Sequence, residues 1–188
     1  MEPLSQILSE VTSALDRIGI RYAVGGSVAS SVRGIYRSTL DVDLVAEIVP
    51  QGAEALEAAL GPEWYADAHE IRRAIKAGRS FNLIHTRLAF KVDIFPAYRE
   101  FHLAQLERAT IVPLGEGVPC RVASAEDILL AKLCWYRDGG CVSERQWDDI
   151  AGLLAVNPDL DRTYLDEWTV RLGVADLLEK ARAEATEP

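Results

Sequence analysis

The hydrophobic periodicity of this 188-residue chain changes abruptly near residue 123. Before that point, amphipathic helical stretches are interspersed with short segments in which apolar and polar residues alternate one by one, as in half-buried strands. From Ser124 onward, the pattern indicates helices alone. We therefore predict a mixed α/β (α+β) core over residues 1–122, with a mixed β-sheet flanked by helices, and a C-terminal α-helical unit over residues 123–188. Because no linker separates them, we expect the helical unit to pack on the core.

Periodicity, caps and breakers place the individual elements. Helices are predicted at residues 4–18, 27–33, 51–60, 67–76, 101–106, 124–136, 143–155, 161–171 and 174–185. Strands are predicted at residues 21–24, 40–48, 80–85, 88–95, 110–113 and 119–122. The strands at 80–85 and 88–95 are close enough in sequence to form a hairpin, with His85 near its turn.

Composition excludes several classes of protein. The chain is 49% hydrophobic and 26% charged, which allows a real core and argues against disorder. Its apolar runs are too short for a membrane span, and its N-terminus lacks the features of a secretory signal. The three cysteines form no C-x-x-C pair, which favours neutral thiols in a reducing cytoplasm.

The overall charge argues against nonspecific attraction to nucleic acid. At a formal net charge of −9, the chain would repel a polyanion, so any such contact needs a local basic patch. The candidate patch is Arg72, Arg73, Lys76 and Arg79. It is either an ordinary solvated helix face or a guide for a nucleic-acid acceptor or a triphosphate.

Two carboxylates share one face of a predicted strand. Asp41 and Asp43 are two residues apart, so their side chains point the same way, while Val42 and Leu44 take the opposite, apolar face. Two carboxylates held side by side repel each other, and a cation relieves that repulsion. Oxygen ligands of this kind suit Mg²⁺ or Mn²⁺. For a bare D-x-D, a solvated strand face remains the more common explanation.

A later strand offers a third acid. Phe90, Val92 and Ile94 form one face of that strand, and Asp93 lies on the other with Lys91. If the two strands are neighbours, the three acids form a cluster that can hold two divalent ions for in-line phosphoryl chemistry.

A glycine-rich turn upstream makes the acid pattern more specific. Gly25, Gly26 and Ser27 lie between a predicted strand and a predicted helix start. Glycines let a backbone approach phosphates closely, and the amides at a helix N-terminus attract anions. The succession of strand, G-G-S turn, helix and D-x-D strand is therefore much more informative than any of its parts.

These residues resemble the polymerase-β-type nucleotidyltransferase superfamily. The resemblance is carried by Tyr22-Ala23-Val24-Gly25-Gly26-Ser27, Arg37, Asp41-Val42-Asp43-Leu44-Val45 and Phe90-Lys91-Val92-Asp93-Ile94-Phe95. It is closer still to small bacterial abortive-infection (toxin-like) nucleotidyltransferases, whose helical segments are similar to residues 125–133 and 143–150. The chain lacks the long downstream helices of CCA-adding enzymes, which makes a CCA-adding role a poor fit.

The resemblance implies roles for the core residues. Gly25, Gly26 and Ser27 would contact the triphosphate. Asp41 and Asp43 would bind the metal ions, Mg²⁺ or in its place Mn²⁺. These expectations come from the family pattern and not from the spacing alone.

The family pattern extends to four further positions. Asp93 would bind the catalytic metal and help activate the acceptor hydroxyl. Lys132 would neutralise phosphate charge, or is simply a surface lysine. Asp149 would lie near that lysine in the nucleotide site, or is an ordinary helix-face acid beside Arg145. Arg37 would reach phosphate or brace the Asp41 loop.

Two classes of function follow. The first is a cytoplasmic, Mg²⁺-dependent nucleotidyltransferase that moves NMP from an NTP to a hydroxyl of RNA (including tRNA), a protein or a small molecule. The second is a non-catalytic or regulatory nucleotide-binding protein, for instance a member of a toxin–antitoxin pair with an antitoxin partner. A plain interaction domain on the same fold stays possible because fold does not fix function.

Overall fold

The computed structural model describes residues 3–33 and 41–186. Within these ranges the chain divides into two compact units. The first comprises residues 3–28 and 41–123, and the second comprises residues 29–33 and 124–186. None of the helices in the described ranges combines the length and the apolar character needed to cross a bilayer.

The first unit is organised around a mixed seven-stranded sheet with strand order β3-β4-β5-β2-β1-β7-β6. The strands are β1 Tyr22–Val24, β2 Asp41–Ala46, β3 Trp64–Tyr65, β4 Phe81–His85, β5 Phe90–Pro96, β6 Thr110–Leu114 and β7 Val118–Val122. The β2–β5 and β1–β7 pairs are parallel, and the other pairs are antiparallel. The predicted β4–β5 hairpin is confirmed.

Side-chain alternation explains why these segments become strands. In β2, Val42 and Leu44 are fully buried while the residues between them are exposed or half-buried. In β5, Val92 and Ile94 are fully buried in the same way. Burying one apolar side chain stabilises the fold by roughly 1.5–3 kcal/mol, so a slip of one residue in either strand is strongly disfavoured.

The described helices begin and end close to their predicted positions. Those of the first unit are α1 Pro3–Arg17, α3 Ala53–Ala59, α4 Ala68–Lys76 and α5 Glu100–Arg108, while α2 Gly26–Val32 spans both units. Those of the second unit are α6 Ala125–Asp138, α7 Glu144–Val156, α8 Arg162–Leu172 and α9 Ala175–Thr186. The predicted caps Asp67 and Ser124 accept hydrogen bonds from the Glu70 and Asp127 amides at 3.0 and 3.1 Å.

Three local predictions need correction. Helix α2 starts at Gly26, one residue before the predicted cap Ser27. The helix predicted from residue 51 begins instead as a 3-10 turn at Pro50–Gly52, and the α-helix follows from Ala53. Pro50 starts the turn because its fixed φ suits a first helical position, where no amide hydrogen is needed. The two-residue strand Trp64–Tyr65 is too short to leave a periodic pattern in the sequence.

Candidate active site

The register of β2 and β5 brings the two acid-bearing strands together. They are parallel neighbours, with Asp43 paired with Asp93 and Asp41 paired with Lys91. Residues paired across neighbouring strands point to the same face of a sheet. All four side chains therefore lie on the face opposite the buried Val42 and Val92. We call this set (Asp41, Asp43, Lys91 and Asp93) the acid face.

Exposure differs across the acid face. The Asp41 side chain is 58% exposed, whereas that of Asp93 is only 17% exposed. Asp43 is intermediate in burial. The interactions of Asp93 are therefore screened less by water than those of Asp41.

Lys91 is a member of this site that the sequence reasoning did not single out. Its Nζ lies 2.8 Å from Asp93 Oδ2 and 3.8 Å from Asp41 Oδ1. The hydrogen bond to Asp93, followed by the charges of Asp93, Asp41 and Asp43, raises the pKa of Lys91 above its ordinary value against a smaller lowering by burial. The signal was present in the sequence, since Lys91 and Asp93 are two residues apart in one strand.

The glycine turn packs directly against the acid face. The Gly25 amide donates to the Asp43 carbonyl at 2.8 Å. Gly26 has a φ of +56°, and a Cβ built on it would lie 1.8 Å from Asp43 Oδ2. No side chain fits there unless Asp43 moves, so Gly26 fixes where that carboxylate can be.

Ser27 and Arg37 were also predicted to bind nucleotide. Ser27 follows Gly26 in the first turn of α2. Arg37 lies outside the described residues.

The second unit contains the other predicted pair. Lys132 Nζ donates to Asp149 Oδ2 at 2.8 Å, joining α6 to α7. Both side chains are largely buried, at 10% and 13% exposed. Lys132 is therefore not a surface lysine, and Asp149 is its ion-pair partner.

A second group of titratable side chains was missed by the sequence reasoning, which placed His85 only at a hairpin end. One ligand atom each from Glu10, Glu63 and His85 lies within 4.8 Å of the others, close enough for one metal ion. The His85 ring is fully buried, with Nε2 at 3.5 Å from a carboxylate oxygen of each glutamate. No short-range spacing in the sequence predicts this group, because its members come from distant parts of the chain.

Hydrogen bonding in that group argues against a metal. The Leu88 amide donates to His85 Nδ1 at 3.3 Å, so in the neutral ring the proton sits on Nε2, facing the two carboxylates. A metal would need the Nε2 lone pair and an acceptor near Nδ1. Glu10 also accepts from the Trp64 indole at 2.7 Å. The group is better explained as a polar link between α1 and the sheet.

The predicted basic patch is partly compensated. Arg72 pairs with Glu54, and Arg73 pairs with Glu70 at 2.5 Å. Among the described residues, no ion pair involves the side chain of Arg79. The patch is therefore not uniformly basic, and its available positive charge lies with Lys76 and Arg79.

The acid face has the donor set of a divalent-metal site. Three carboxylates from two adjacent strands supply hard oxygen ligands. As they stand, they do not bring one oxygen each within 4.8 Å of one another, so a single ion would draw them closer together. Such a surface, beside a glycine turn, can bind a metal-bound triphosphate and hold an acceptor hydroxyl next to a half-buried base.

Comparison with known proteins identifies the fold. No protein-family model matches the chain, and no curated protein matches its sequence. The solution structure of the antibiotic-resistance factor ANT(2'')-Ia is similar over 96% of this chain and 94% of that chain, at 16% identity and a TM-score of 0.50. The crystal structure of ANT(2'')-Ia in complex with adenylyl-2''-tobramycin is similar over 90% of this chain and 96% of that chain, at 13% identity and a TM-score of 0.54.

A fungal protein shares the same architecture. An antigenic nucleotidyltransferase-like protein from Paracoccidioides brasiliensis is similar over 82% of this chain and 75% of that chain, at 20% identity and a TM-score of 0.50. At such identities the likeness concerns the fold. It confirms the predicted mixed α+β architecture as one shared with nucleotidyltransferase-fold proteins.

Proposed function

We propose that this chain is a metal-dependent nucleotidyltransferase that moves NMP from an NTP to a hydroxyl acceptor and releases pyrophosphate. The observation that carries the proposal is the register pairing of Asp43 with Asp93, with Asp41 two residues away on the same face. The structural neighbour bound to adenylyl-2''-tobramycin supports nucleotidyl transfer as the reaction class.

The residues present fit a divalent ion. Asp41, Asp43 and Asp93 would hold Mg²⁺, or Mn²⁺ in its place, through carboxylate oxygens. When bound, the ion neutralises triphosphate charge and lowers the pKa of the attacking hydroxyl. The fit rests on three hard carboxylate ligands on one face of the sheet, two of them with the Lys91 ammonium at 2.8 and 3.8 Å.

The chain's own residues then position the reactants. Gly25 and Gly26 let the phosphates approach the backbone, and Ser27 offers a hydroxyl and an amide to them. Arg37 is proposed as a further phosphate contact. Asp93 accepts the proton of the acceptor hydroxyl as its oxygen bonds to the α-phosphorus, while the bond from that phosphorus to the bridging oxygen breaks and pyrophosphate leaves.

The helical unit supplies a cation in this proposal. Lys132 neutralises phosphate charge, and Asp149 holds its ammonium in one position through the 2.8 Å hydrogen bond. A lysine that is only 10% exposed has few rotamers open to it, which suits a positioning and charge-neutralising role.

Transfer of labelled nucleotide tests the proposal. The purified chain is incubated with each NTP labelled on the α-phosphate, with Mg²⁺ and with cell RNA or lysate. Asp41→Asn and Asp93→Asn should abolish incorporation, whereas Asp148→Asn, an exposed acid next to Asp149, should not. Transfer that survives both active-site substitutions would refute the assigned site.

The same assay separates the alternative function. A non-catalytic member of a toxin–antitoxin pair would bind NTP without turnover and without metal dependence. The toxin-like resemblance and the cytoplasmic location stay predictions from sequence. The presence of all three acids favours turnover.

A further inference from the structure

An open groove of about 730 Å³ lies between α4 and β4 in the first unit. Its lining combines an aromatic ring, two guanidinium groups, an amide and an aliphatic side chain, contributed by Tyr65, Arg73, Arg79, Asn82 and Ile84. Tyr65 is 57% exposed and Ile84 is 39% exposed, so the groove presents an aromatic ring and an aliphatic side chain to a ligand.

The sheet register connects this groove to the acid face. Asn82 of β4 pairs with Asp93 of β5, so both side chains point to the same face. In the next row, Tyr65 pairs with Ile84, and Ile84 pairs with Lys91. The exposed surface of β3 and β4 is therefore continuous with the acid face, and β3 lies two interstrand spacings, about 10 Å, from β5.

Some charged side chains of the groove form ion pairs with each other and some do not. Glu70 is engaged by Arg73, and the carboxylate of Asp67 accepts the Glu70 amide as the N-cap of α4. Arg79 is exposed, and its side chain makes no ion pair with any residue in the described ranges. The groove therefore offers the Arg79 guanidinium to an anionic ligand, while Glu70 already has Arg73 as its partner.

We propose that this groove is the acceptor subsite and that it binds the end of a single-stranded nucleic acid. The proposal rests on the proposed function. Tyr65 stacks on a base, Arg79 contacts a backbone phosphate, and Asn82 hydrogen-bonds the terminal nucleotide whose hydroxyl lies beside Asp93. Stacking on an aromatic ring combined with arginine–phosphate contact is how proteins hold single strands.

A polycationic small molecule is a poorer match for the same surface. Such a ligand needs an excess of carboxylates, whereas the two acids of the groove, Asp67 and Glu70, are matched in number by Arg73 and Arg79. The exposed Arg79 would repel it. The nucleic-acid assignment therefore rests on the exposed Arg79 guanidinium and on the exposed Tyr65 ring.

Binding of a short fluorescein-labelled oligoadenylate with a free terminal hydroxyl, followed by fluorescence anisotropy, tests the subsite. Tyr65→Ala should weaken binding about fivefold to a hundredfold, and Tyr65→Phe should restore most of it because the ring remains. Arg79→Gln should weaken binding and reduce the salt dependence of log K by about 0.7. Arg121→Gln removes an exposed arginine of β7, three strands from β5, and should have no effect.

Nucleotide transfer to the same oligoadenylate separates the two proposals. Tyr65→Ala and Arg79→Gln should raise KM for the oligonucleotide and leave the affinity for NTP unchanged. Efficient transfer with unchanged KM in both variants would overturn the subsite and leave the proposed function standing. Groove-dependent binding in a wild-type protein that transfers nothing would support the subsite and count against the proposed function.

Tobramycin serves as the competing ligand class. Binding of tobramycin in preference to the oligoadenylate, strengthened by Arg79→Gln, would overturn the nucleic-acid assignment. The substituted side chains are exposed, so urea unfolding midpoints close to that of the wild type are expected and confirm that each variant is folded.

Discussion

The acid face and the Lys132–Asp149 pair use charge in opposite ways. On the acid face, three carboxylates lie side by side, the Lys91 ammonium is 2.8 Å from Asp93, and Asp41 remains 58% exposed. In the helical unit, one ammonium meets one carboxylate at 2.8 Å, and both side chains are largely buried. In a buried pair each charge depends on the other, whereas neighbouring like charges repel and favour binding of a cation. Removing one carboxylate should therefore leave the acid face at least as stable as before, whereas removing the Asp149 carboxylate should destabilise the helical unit.

Neutralising an acid of the sheet should have the largest effect on activity. Asp43→Asn removes a metal ligand and should lower kcat/KM for nucleotide transfer about 1,000-fold, since metal stabilisation of the transition state amounts to several kcal/mol. The free energy of unfolding should stay the same or rise, because one of several mutually repelling carboxylates is gone. Label transfer and urea unfolding measure the two quantities.

Asp148→Asn is the matched control for that substitution, and both quantities should stay at their wild-type values. A clear loss of stability in Asp43→Asn would contradict the contrast with the Lys132–Asp149 pair, because it would mean that the acid face is also a structural ion-pair network.

Neutralising the acid of the helical pair should reverse the pattern. Asp149→Asn leaves the Lys132 ammonium largely buried without its partner charge, and should lower the free energy of unfolding by about 2–3 kcal/mol. The double variant Lys132→Met with Asp149→Leu should recover much of that loss while transfer stays impaired. Urea denaturation of the single and double variants provides the measurement.

Full activity in the double variant would contradict the charge-neutralising role of Lys132 and leave the pair as a structural link between α6 and α7. Unchanged stability in Asp149→Asn would show that the buried Lys132 ammonium does not depend on the Asp149 carboxylate.

Filling the space at Gly26 should disturb the acid face without removing any charge. Gly26→Ala introduces a Cβ where the Asp43 carboxylate lies, at a positive φ, and should lower transfer about tenfold or more and stability by about 1 kcal/mol. Gly61→Ala is the matched control, since a Cβ there would meet nothing within 4 Å and its φ is not positive. Wild-type transfer in Gly26→Ala would show that the position of Asp43 does not depend on Gly26.

Removing the compensating ammonium should have the smallest effect. Lys91→Met removes a positive charge beside the three acids and should tighten Mn²⁺ binding severalfold. The effect should be no larger than that, because the Lys91 side chain is 41% exposed and water screens its charge. Mn²⁺ titration at constant ionic strength measures this change. Weaker Mn²⁺ binding would mean that Lys91 helps to organise the carboxylates instead of competing with the ion.

The sequence predicted those parts of the fold that depend on local patterns. Alternation identified β2 and β5 and put Asp41 and Asp43 on one face, and the caps Asp67 and Ser124 located two helix starts. Trp64–Tyr65 left no signal, because two residues are too few for a period.

The candidate site was predictable in its residues but not in its pairing. That Asp43 would lie beside Asp93 depends on β2 and β5 being parallel neighbours, which is a non-local property of the sheet. For the same reason, the sequence alone did not predict that His85 groups with Glu10 and Glu63, or that Asn82 lies on the same face as Asp93.

Mn²⁺ binding followed by electron paramagnetic resonance, with a non-hydrolysable NTP present, tests the central claim most directly. Our account predicts that the wild type and Asp148→Asn bind Mn²⁺ alike, and that Asp43→Asn and Asp93→Asn lose most of that affinity while remaining folded. Undiminished Mn²⁺ binding in Asp43→Asn and Asp93→Asn would contradict the assignment of the acid face as the metal site.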